Sequence, residues 1–420
     1  MPFTRPVRLL LVVLLLIQAG AACAGAPLRA APSWLLPPAL HARSAILIEA
    51  RTGTVLFEDH ADDRIAPASL TKLMTLHLAL LWIDEGRLDP SEMVVPGPEA
   101  WAKNMPPRSS VMFLGPGQRL TVQTLLQGLV VDSGNDAAVA IADRIAGSVP
   151  AFADMMNQEA GRLGYRVMHF VEPAGISAKN TITAREYADF CRYFIEMHPE
   201  ALKTLFSLKE FTYPLPDNLT GGNPEKPVTQ SNRNVLLGRY EGADGLKTGY
   251  IDESGYNIAV TAERQGMRLI SVILGVPDIG RLSGAELRAT ESAALLDYGF
   301  ANFITVRPGY EAPAPVRVWK GNERSVALTA HPDPIVALRR ENAGSVKAVV
   351  EQATDIEAPV RAGQALGSVV VTLEGRELAR FPLVAESSVD RGGFLRRAVD
   401  SVIMFFSGVS RRIVRYPSLS

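Results

Sequence analysis

The chain has 420 residues, of which 47% are hydrophobic and 21% charged, with a formal net charge of −1. This balance is typical of a globular protein, and at this length it predicts two or more domains. The chain has no surplus of basic residues, so nucleic acid is not an expected partner.

Residues 1–26 have the pattern of a secretory signal peptide: two arginines, an apolar run, and small residues with two Ala-x-Ala cleavage patterns. The apolar run, residues 9–17, is too short to span a bilayer, which disfavours the alternative of an N-terminal membrane helix. Cys23 raises the alternative of a lipoprotein signal, but Gly20 stands three positions upstream, where a larger aliphatic residue is expected. After cleavage Cys191 remains alone, so we expect a buried packing residue and no intramolecular disulfide.

Residues 27–305 are predicted to form the first folded domain. Strand-like runs occur early ("SAILIEA") and late ("YNIAVTAE", "RLISVILG"), and helical patterns such as "LTKLMTLHLALLWIDEG" and "EYADFCRYFIEM" lie between them. Another helical pattern, "ELRATESAALLDYGF", follows the late strands. A chain that begins in strands, passes through helices and returns to strands predicts one sheet covered by helices, an α/β or α+β arrangement.

A Pro-rich passage near residue 310, "RPGYEAPAPV", marks a domain boundary. Beyond it, runs such as "VRVWKGNERSVALTA" and "LGSVVVTLEGRELARFPLVA" alternate apolar and polar residues around glycine-containing turns. Residues 306–390 are therefore predicted to form a small all-β domain.

Residues 391–420 are predicted to form an amphipathic helix. Apolar residues recur at helical spacing at Leu395, Val399, Val402, Phe406, Val409, Ile413 and Tyr416. The region carries five arginines against one aspartate after Gly393, which favours a helix lying in an anionic membrane surface. A transmembrane span fails on length because charges flank "VIMFF". The alternative of a helix packed on the protein's own β-domain remains open.

Ser69 and Lys72 are the first candidates for catalysis. They lie three positions apart in "PASLTKLMT", at the start of an apolar helical pattern. On a helix this spacing places both side chains on one face, so the lysine amine can reach the serine hydroxyl. Ser69 also suits a plain helix N-cap, and one Ser-x-x-Lys is weak evidence by itself.

Two further motifs follow in the chain. Ser133-Gly134-Asn135 is either a turn or helix cap, or a hydroxyl and carboxamide on a tight loop. Lys247-Thr248-Gly249 stands at the entry to a predicted strand, and a glycine there lets another backbone approach closely. An ammonium and a hydroxyl on an accessible strand edge suit an extended ligand that ends in a carboxylate.

The three motifs occur in the order found in class A β-lactamases and penicillin-binding proteins. The chain resembles the low-molecular-weight penicillin-binding proteins, the serine-type D-alanyl-D-alanine carboxypeptidases, over nearly its whole mature length. Further matching segments are "SNRNVLL", "AGQALGSVVV" and the amphipathic tail. The resemblance implies a penicillin-binding transpeptidase-like domain whose sheet is mainly antiparallel, followed by the β-domain and the helix.

Carried over to this sequence, the resemblance implies that Ser69 attacks the carbonyl between two terminal D-alanines and forms an acyl-enzyme. Lys72 is implied as the general base and must be neutral during attack; burial and the charge of Lys247 would both lower its pKa. Ser133 is implied to relay a proton to the leaving amine.

The resemblance also implies the groups that bind substrate. The carboxamide of Asn135 holds the peptide amide, Lys247 and Thr248 bind the terminal carboxylate, and two backbone N–H groups form the oxyanion hole. Those N–H groups belong to Ser69 and Tyr250. Two arginines match family positions near the site, with a role in either substrate binding or structure. The implied binding residues are Asn135, Lys247, Thr248, Gly249, Tyr250, Arg233 and Arg288.

The sequence departs from the family pattern at two points. Ile251 stands where the family usually has threonine, and Ala174 where relatives often have an imidazole. Glu172-Pro173 begins like the loop that carries the deacylating glutamate of class A β-lactamases, but Ile176 replaces its asparagine. The alternatives are therefore a β-lactamase, a D,D-endopeptidase of the same fold, or a non-catalytic wall-binding protein; the last of these would be expected to lose Ser69 or Lys72.

The implied partners are a peptidoglycan pentapeptide ending in D-Ala-D-Ala and, as covalent inhibitors, the β-lactam antibiotics. Residues 393–416 are expected to contact an anionic membrane surface. No metal and no organic cofactor is implied. We expect a periplasmic enzyme attached to the outer face of the inner membrane.

Overall fold

The computed structural model describes residues 36–219, 226–407 and 413–416. The predicted signal peptide lies outside them. The longer helices are α1 (Lys72–Asp84), α2 (Val122–Val130), α3 (Asn135–Ala146), α4 (Val149–Arg162), α5 (Ala184–Met197), α6 (Gly284–Asn302) and α7 (Phe394–Ser407).

The strands of the first domain are β1 (Ser44–Glu49), β2 (Val55–Asp59), β3 (Met93–Val94), β4 (Leu120–Thr121), β5 (Glu210–Tyr213), β6 (Val228–Ser231), β7 (Ala243–Ile251), β8 (Gly255–Arg264) and β9 (Met267–Val276). One sheet takes the order β2-β1-β9-β8-β7, and each of its pairings is antiparallel. The expectation of one mainly antiparallel sheet built from the early and late strands is confirmed.

Helices cover both faces of this sheet. Successive side chains of a strand point to opposite faces, and all six residues of β1 are buried. Ile46 and Ile48 pack in the core that contains α5, whereas Leu47 packs in a second core with α6. Cys191 of α5 is fully buried, as predicted. The continuously apolar early strand thus reflects burial from both sides.

The second domain is all-β, as expected. Its strands are β10 (Phe303–Val306), β11 (Val316–Trp319), β12 (Ser325–Val326), β13 (Leu328–Ala330), β14 (Val336–Arg339), β15 (Val346–Ala353), β16 (Asp355–Glu357), β17 (Ala365–Leu373), β18 (Arg376–Ala385) and β19 (Ile413–Tyr416). They form sheets in the orders β13-β18-β17-β15-β19, β12-β11-β16 and β10-β14 around a separate core. β10 spans the predicted boundary at residue 305 because it pairs with β14.

The carboxyl-terminal prediction needs a correction. The helix ends at Ser407, and Ile413 and Tyr416, placed by the sequence pattern on a helical face, lie in β19, which pairs antiparallel with β15. Ile413 and Val414 are β-branched and favour a strand where an open sheet edge can receive them. Val409 lies outside the described residues. Among the described helices, none is long and apolar enough to cross a membrane.

Candidate active site

Ser69 lies in a 3-10 turn, Ala68–Thr71, that leads directly into α1. No side chain caps the turn or α1, so the reading of Ser69 as a simple helix cap is not supported. Ala68 has φ +51°, a left-handed conformation that costs free energy in a residue with a Cβ. Such conformations concentrate at functional turns, and here the strained turn is the one that presents Ser69.

Lys72 is the first residue of α1, and its side chain is buried. Its Nζ donates to Ser69 Oγ (2.9 Å), Asn135 Oδ1 (2.7 Å) and the Ala174 carbonyl (2.5 Å). Burial lowers the pKa of Lys72 to about 7, although two nearby carboxylates oppose the shift. A neutral lysine here keeps two N–H donors for the amide and carbonyl oxygens and turns its lone pair to the serine proton.

Asn135 reaches this pair from the turn between α2 and α3, and the same turn carries Ser133. Ser133 has φ +58°, Gly134 is the N-cap residue of α3, and Asn135 begins that helix. Both polar side chains are buried. The carboxamide of Asn135 contacts Lys72 directly, so the second motif meets the first as the sequence implies.

The third motif lies on β7, at the edge of the central sheet. The side chains of Lys247 and Thr248 are buried. A Cβ at Gly249 would lie 2.8 Å from the Pro67 carbonyl and 2.9 Å from the Ser69 nitrogen, the close backbone approach predicted for a glycine here. β7 therefore packs against the turn that carries Ser69.

Positive charge accumulates at this end of the site. Burial lowers the pKa of Lys247 well below its ordinary value, and the charges of Lys72, Arg288 and Arg233 lower it further. The predicted repulsion between the lysines thus acts on Lys247, whereas the shift at Lys72 comes from burial. The Nζ of Lys247 donates to the Thr248 carbonyl at 3.2 Å. An anion bound here would relieve the excess of positive charge.

The two family arginines act differently. Arg288 donates to the carbonyls of Gly249 (2.8 Å) and Asn257 (3.2 Å), so it braces β7 from behind. Burial lowers its pKa to about 10. Arg233 is exposed and donates to Gln230 Oε1 at 3.3 Å. Arg288 therefore holds β7 through hydrogen bonds, whereas Arg233 adds positive charge near Lys247.

The sequence analysis missed several groups that shape the site. Gly175 has φ +81°, and any Cβ there would collide with the Ala68 carbonyl. Asp136 accepts the backbone N–H groups of Met112 (2.9 Å) and Leu114 (3.0 Å), which ties the loop on the opposite wall to α3. The glycine that follows Glu-Pro-Ala in the sequence could have indicated the close packing of Gly175 on Ala68. Nothing in the sequence marks the partners of Asp136.

Glu172 stabilises its own loop. Its carboxylate accepts the N–H groups of Ala174 (2.7 Å) and Gly175 (2.8 Å) and the amide of Asn180 (2.9 Å). These bonds explain the partial Glu-Pro match without a deacylating role, and they disfavour the β-lactamase alternative. The loop instead turns the Ala174 carbonyl onto Lys72, at the position where relatives often carry an imidazole.

Ser69 opens into a cleft of about 420 Å³. The lining residues are Ser69, Pro106, Pro107, Arg108, Ser109, Ser110, Asn135, Gly175, Ile176, Tyr250, Ile251, Asp252 and Glu253. Over the parts of the chain that the structure describes, no group of three or more His, Cys, Asp or Glu side chains is placed to hold a metal ion. The reactive and polar groups at this site are a serine hydroxyl, lysine amines and amides.

Three segments far apart in the chain thus meet around Ser69, in the order used by penicillin-recognising serine enzymes. Together with the antiparallel sheet between two helical layers, they define the class: a serine enzyme of the penicillin-binding fold.

Comparisons with known proteins give the family. The sequence model described as D-alanyl-D-alanine carboxypeptidase matches residues 32–278, and that of the penicillin-binding protein 5 C-terminal domain matches residues 305–391. D-alanyl-D-alanine carboxypeptidase DacA of Haemophilus influenzae is 34% identical over 89% of this chain and 91% of its own length. The chain belongs to the D-alanyl-D-alanine carboxypeptidase family and is a hydrolase.

Comparison with solved structures supports the same family. Penicillin-binding protein 5 of Haemophilus influenzae has a TM-score of 0.74 at 34% identity, with 85% of this chain and 99% of that chain covered. Penicillin-binding protein D2 of Listeria monocytogenes, solved with ampicillin bound, has a TM-score of 0.51 at 29% identity, with 62% and 98% covered. The resemblance read from the sequence is confirmed.

Proposed function

We propose that this chain removes the terminal D-alanine from peptidoglycan stem peptides through an acyl-enzyme on Ser69. The contact between Lys72 Nζ and Ser69 Oγ at 2.9 Å, with the pKa of Lys72 lowered to about 7, carries the proposal. A base with a pKa near 7 is neutral in a large share of the molecules at physiological pH and still basic enough to accept a proton.

In the first step Lys72 takes the Ser69 proton while Ser69 Oγ bonds to the carbonyl carbon between the two D-alanines. The oxyanion accepts hydrogen bonds from the N–H groups of Ser69 and Tyr250. The close packing of Gly249 on the Ser69 turn supports this pairing of donors. The proton on Lys72 passes through Ser133 to the leaving nitrogen, the C–N bond breaks and D-alanine departs. Water then gives a proton to Lys72 as it attacks the ester carbonyl, the bond from that carbon to Ser69 Oγ breaks, and the proton returns to Ser69.

Substrate binding is assigned to Lys247, Thr248 and Asn135. A terminal carboxylate beside Lys247 would favour its charged form and reverse the depression of its pKa. The amide oxygen of Asn135 accepts a hydrogen bond from Lys72, which leaves its amide nitrogen to donate to the substrate peptide. Because β7 is an edge strand, a peptide can extend along it in an antiparallel direction.

β-Lactams should acylate Ser69 because their strained amide takes the place of the D-Ala-D-Ala bond. The ampicillin-bound neighbour supports this expectation. Intact-mass spectrometry should find one penicillin adduct per chain, and the same enzyme should release D-alanine from a peptide ending in D-Ala-D-Ala.

The test variant is Ser69→Ala, and its matched control is Ser91→Ala. Ser91 lies at an exposed turn and does not line the cleft. Only Ser69→Ala should abolish the adduct and the release. A folded wild-type chain with no adduct contradicts the proposal, and rapid penicillin turnover without D-alanine release would favour a β-lactamase.

We also propose that the protein acts in the periplasm and that α7 attaches it to the outer face of the inner membrane. The exposed apolar side chains of α7 support this: Phe394, Leu395, Val399, Val402, Ile403, Phe405 and Phe406. Arg396 and Arg397 on the same helix suit an anionic lipid surface.

Deletion of residues 393–420 tests the attachment. The shortened chain should stay active on a soluble peptide and lose binding to phosphatidylglycerol vesicles in a flotation assay. Vesicle binding equal to that of the full chain would contradict the role of α7 and leave the catalytic proposal untouched.

A further inference from the structure

Two buried aspartates flank the Ser133-Gly134-Asn135 turn, and their carboxyl groups are held very differently. Asp136 accepts backbone N–H groups from its own helix and from the facing loop. Asp132, the residue before Ser133, is only 1% exposed, and its Oδ1 has no hydrogen-bond partner among the described residues. Hydrogen bonds to the backbone thus account for the carboxyl of Asp136, and they do not account for that of Asp132.

The unpartnered oxygen of Asp132 is a cost to the fold. A buried polar atom without a hydrogen bond lowers the stability of the folded state, and such atoms are rare in folded proteins. An uncharged side chain of the same size would serve the packing better at this position. We therefore expect the carboxyl of Asp132 to act on its neighbours.

Those neighbours connect Asp132 to the end of the site that is assigned to the terminal carboxylate. Gln230 of β6 donates to the Val111 carbonyl at 2.8 Å and accepts a long hydrogen bond from Arg233 Nη2 at 3.3 Å. The charge of Arg233 acts on both Asp132 and Lys247. The exposed guanidinium of Arg233 thus lies within electrostatic range of a buried carboxyl and of the proposed carboxylate site.

The carboxyl of Asp132 changes its charge near physiological pH. Burial raises its pKa to about 7, and the charge of Asp136 adds to the rise, whereas Arg233 and the polar side chain of Gln230 oppose it. Within the described residues, Asp136 and Arg233 are the charged groups that act on it. The carboxyl is mostly protonated below about pH 7 and mostly charged above it.

We propose that Asp132 is a positioning residue that controls, through Arg233, how strongly the site binds the terminal carboxylate of its substrate. The charged carboxylate of Asp132 attracts the Arg233 guanidinium and offsets its positive charge, so less of that charge is left for the substrate. The protonated carboxyl of Asp132 leaves the guanidinium to the substrate. This inference rests on the proposed function and names a regulation of the same carboxylate site.

Penicillin and its methyl ester test the inference, because the ester has the same strained amide and no carboxylate. The readout is the second-order rate of acylation by each compound, from intact-mass spectrometry, expressed as the ratio of the penicillin rate to the ester rate. At pH 8 this ratio should be about fivefold higher for Asp132→Asn than for the wild-type chain, the scale of one partly exposed charge pair.

At pH 6 the two proteins should give nearly the same ratio, because the carboxyl of Asp132 is then mostly neutral in the wild-type chain as well. Lys72 and Lys247 are present in both proteins, so a comparison at one pH isolates the charge of Asp132.

Two further variants test the route through Arg233. Arg233→Gln should lower the ratio by itself and should abolish the difference that Asp132→Asn makes, since the two residues act as one unit. Asp143→Asn is the matched control, at an exposed aspartate of α3 outside the cleft lining. It should keep the wild-type ratio at both pH values.

An unchanged ratio for Asp132→Asn at pH 8 would overturn the inference and leave the proposed function standing. That outcome includes an equal slowing of penicillin and ester, which would mean that Asp132 only shapes the turn that carries Ser133. A difference of the same size at pH 6, or one that persists with Arg233→Gln, would overturn it as well. Acylation of the wild-type chain by neither compound would overturn the proposed function and this inference with it.

Discussion

The active-site cleft and the C-terminal helix both depart from the usual distribution of side chains, in which charged groups are exposed and apolar groups are buried. The cleft buries lysines, and the helix exposes phenylalanines. Behind the cleft the amine-bearing side chains of Lys72 and Lys247 are buried. On α7 Phe405 and Phe406 are 79% and 82% exposed. Both arrangements cost free energy in an isolated protein, because a buried amine loses its contacts with water and an exposed ring keeps apolar surface in water.

The two regions differ in what completes them. The amine of Lys72 has three oxygen partners within the protein. α7 meets the β-domain through polar contacts, from the Lys320 N–H to Asp400 (2.6 Å) and from Arg396 to the Asn322 carbonyl (3.1 Å), and its aromatic side chains stay outside. The cleft is preorganised by the fold, whereas α7 leaves a set of apolar side chains exposed, which the proposed membrane attachment would cover.

The largest effect is expected on the rate of penicillin acylation when Lys72 is substituted. Lys72→Ala removes the proposed base, and penicillin acylation followed by mass spectrometry should slow about 10²- to 10⁴-fold, the contribution of a positioned general base. Lys203→Ala, an exposed lysine, should acylate at the wild-type rate. Acylation of a folded Lys72→Ala variant at a near-normal rate would contradict the assignment.

The next largest effect concerns the helix. Phe405→Ser with Phe406→Ser removes two rings, each contributing about 2 kcal/mol when buried in an apolar phase. Partition onto phosphatidylglycerol vesicles should fall roughly a hundredfold because the rings enter only the interface. Leu378→Ser, an exposed apolar residue of β18, is the control and should bind normally. Unchanged partition of the double variant would exclude the rings from membrane contact.

The sequence predicted the fold and the contact between Ser69 and Lys72 because both leave local traces in the sequence. Continuous apolar runs marked the strands of the main sheet, a helical pattern marked α1, and residue types at fixed spacing marked Ser69 and Lys72. The contacts of Asp136 with Met112 and Leu114 left no trace, since they join segments more than twenty residues apart through backbone groups that any residue carries.

The tail was harder to predict for a related reason. Apolar residues at steps of three and four predicted a helix through Tyr416, yet Ile413–Tyr416 pairs with β15. A short apolar run fits either structure, and the edge of β15 that receives it is a product of the folded domain. Local pattern predicted the exposed helix well only up to Ser407.

A smaller effect, on the free energy of unfolding, is expected when a methyl group is added where β7 packs against the Ser69 turn. Gly249→Ala places a Cβ 2.8 Å from the Pro67 carbonyl, so the backbone must shift, and the free energy of unfolding should fall by about 1–3 kcal/mol. Gly161→Ala in α4 has no neighbour within 4 Å and should stabilise by up to about 1 kcal/mol. Urea titration compares the two. Equal stability of both variants would contradict the close approach of β7 to the Ser69 turn.

The smallest effect is a change in the penicillin acylation rate of about tenfold per pH unit. It separates the two regions, because acylation in the cleft should respond to pH and vesicle binding through α7 should not. Lys72, with a pKa of about 7, accepts a proton from Ser69 only when neutral, so penicillin acylation should fall as pH drops below about 7 and level off above it. Penicillin itself carries no group that titrates near neutrality. Vesicle binding through α7 should stay flat over the same range, because arginine and lipid phosphate keep their charges. An acylation rate that is independent of pH would mean that Lys72 is not the titrating base.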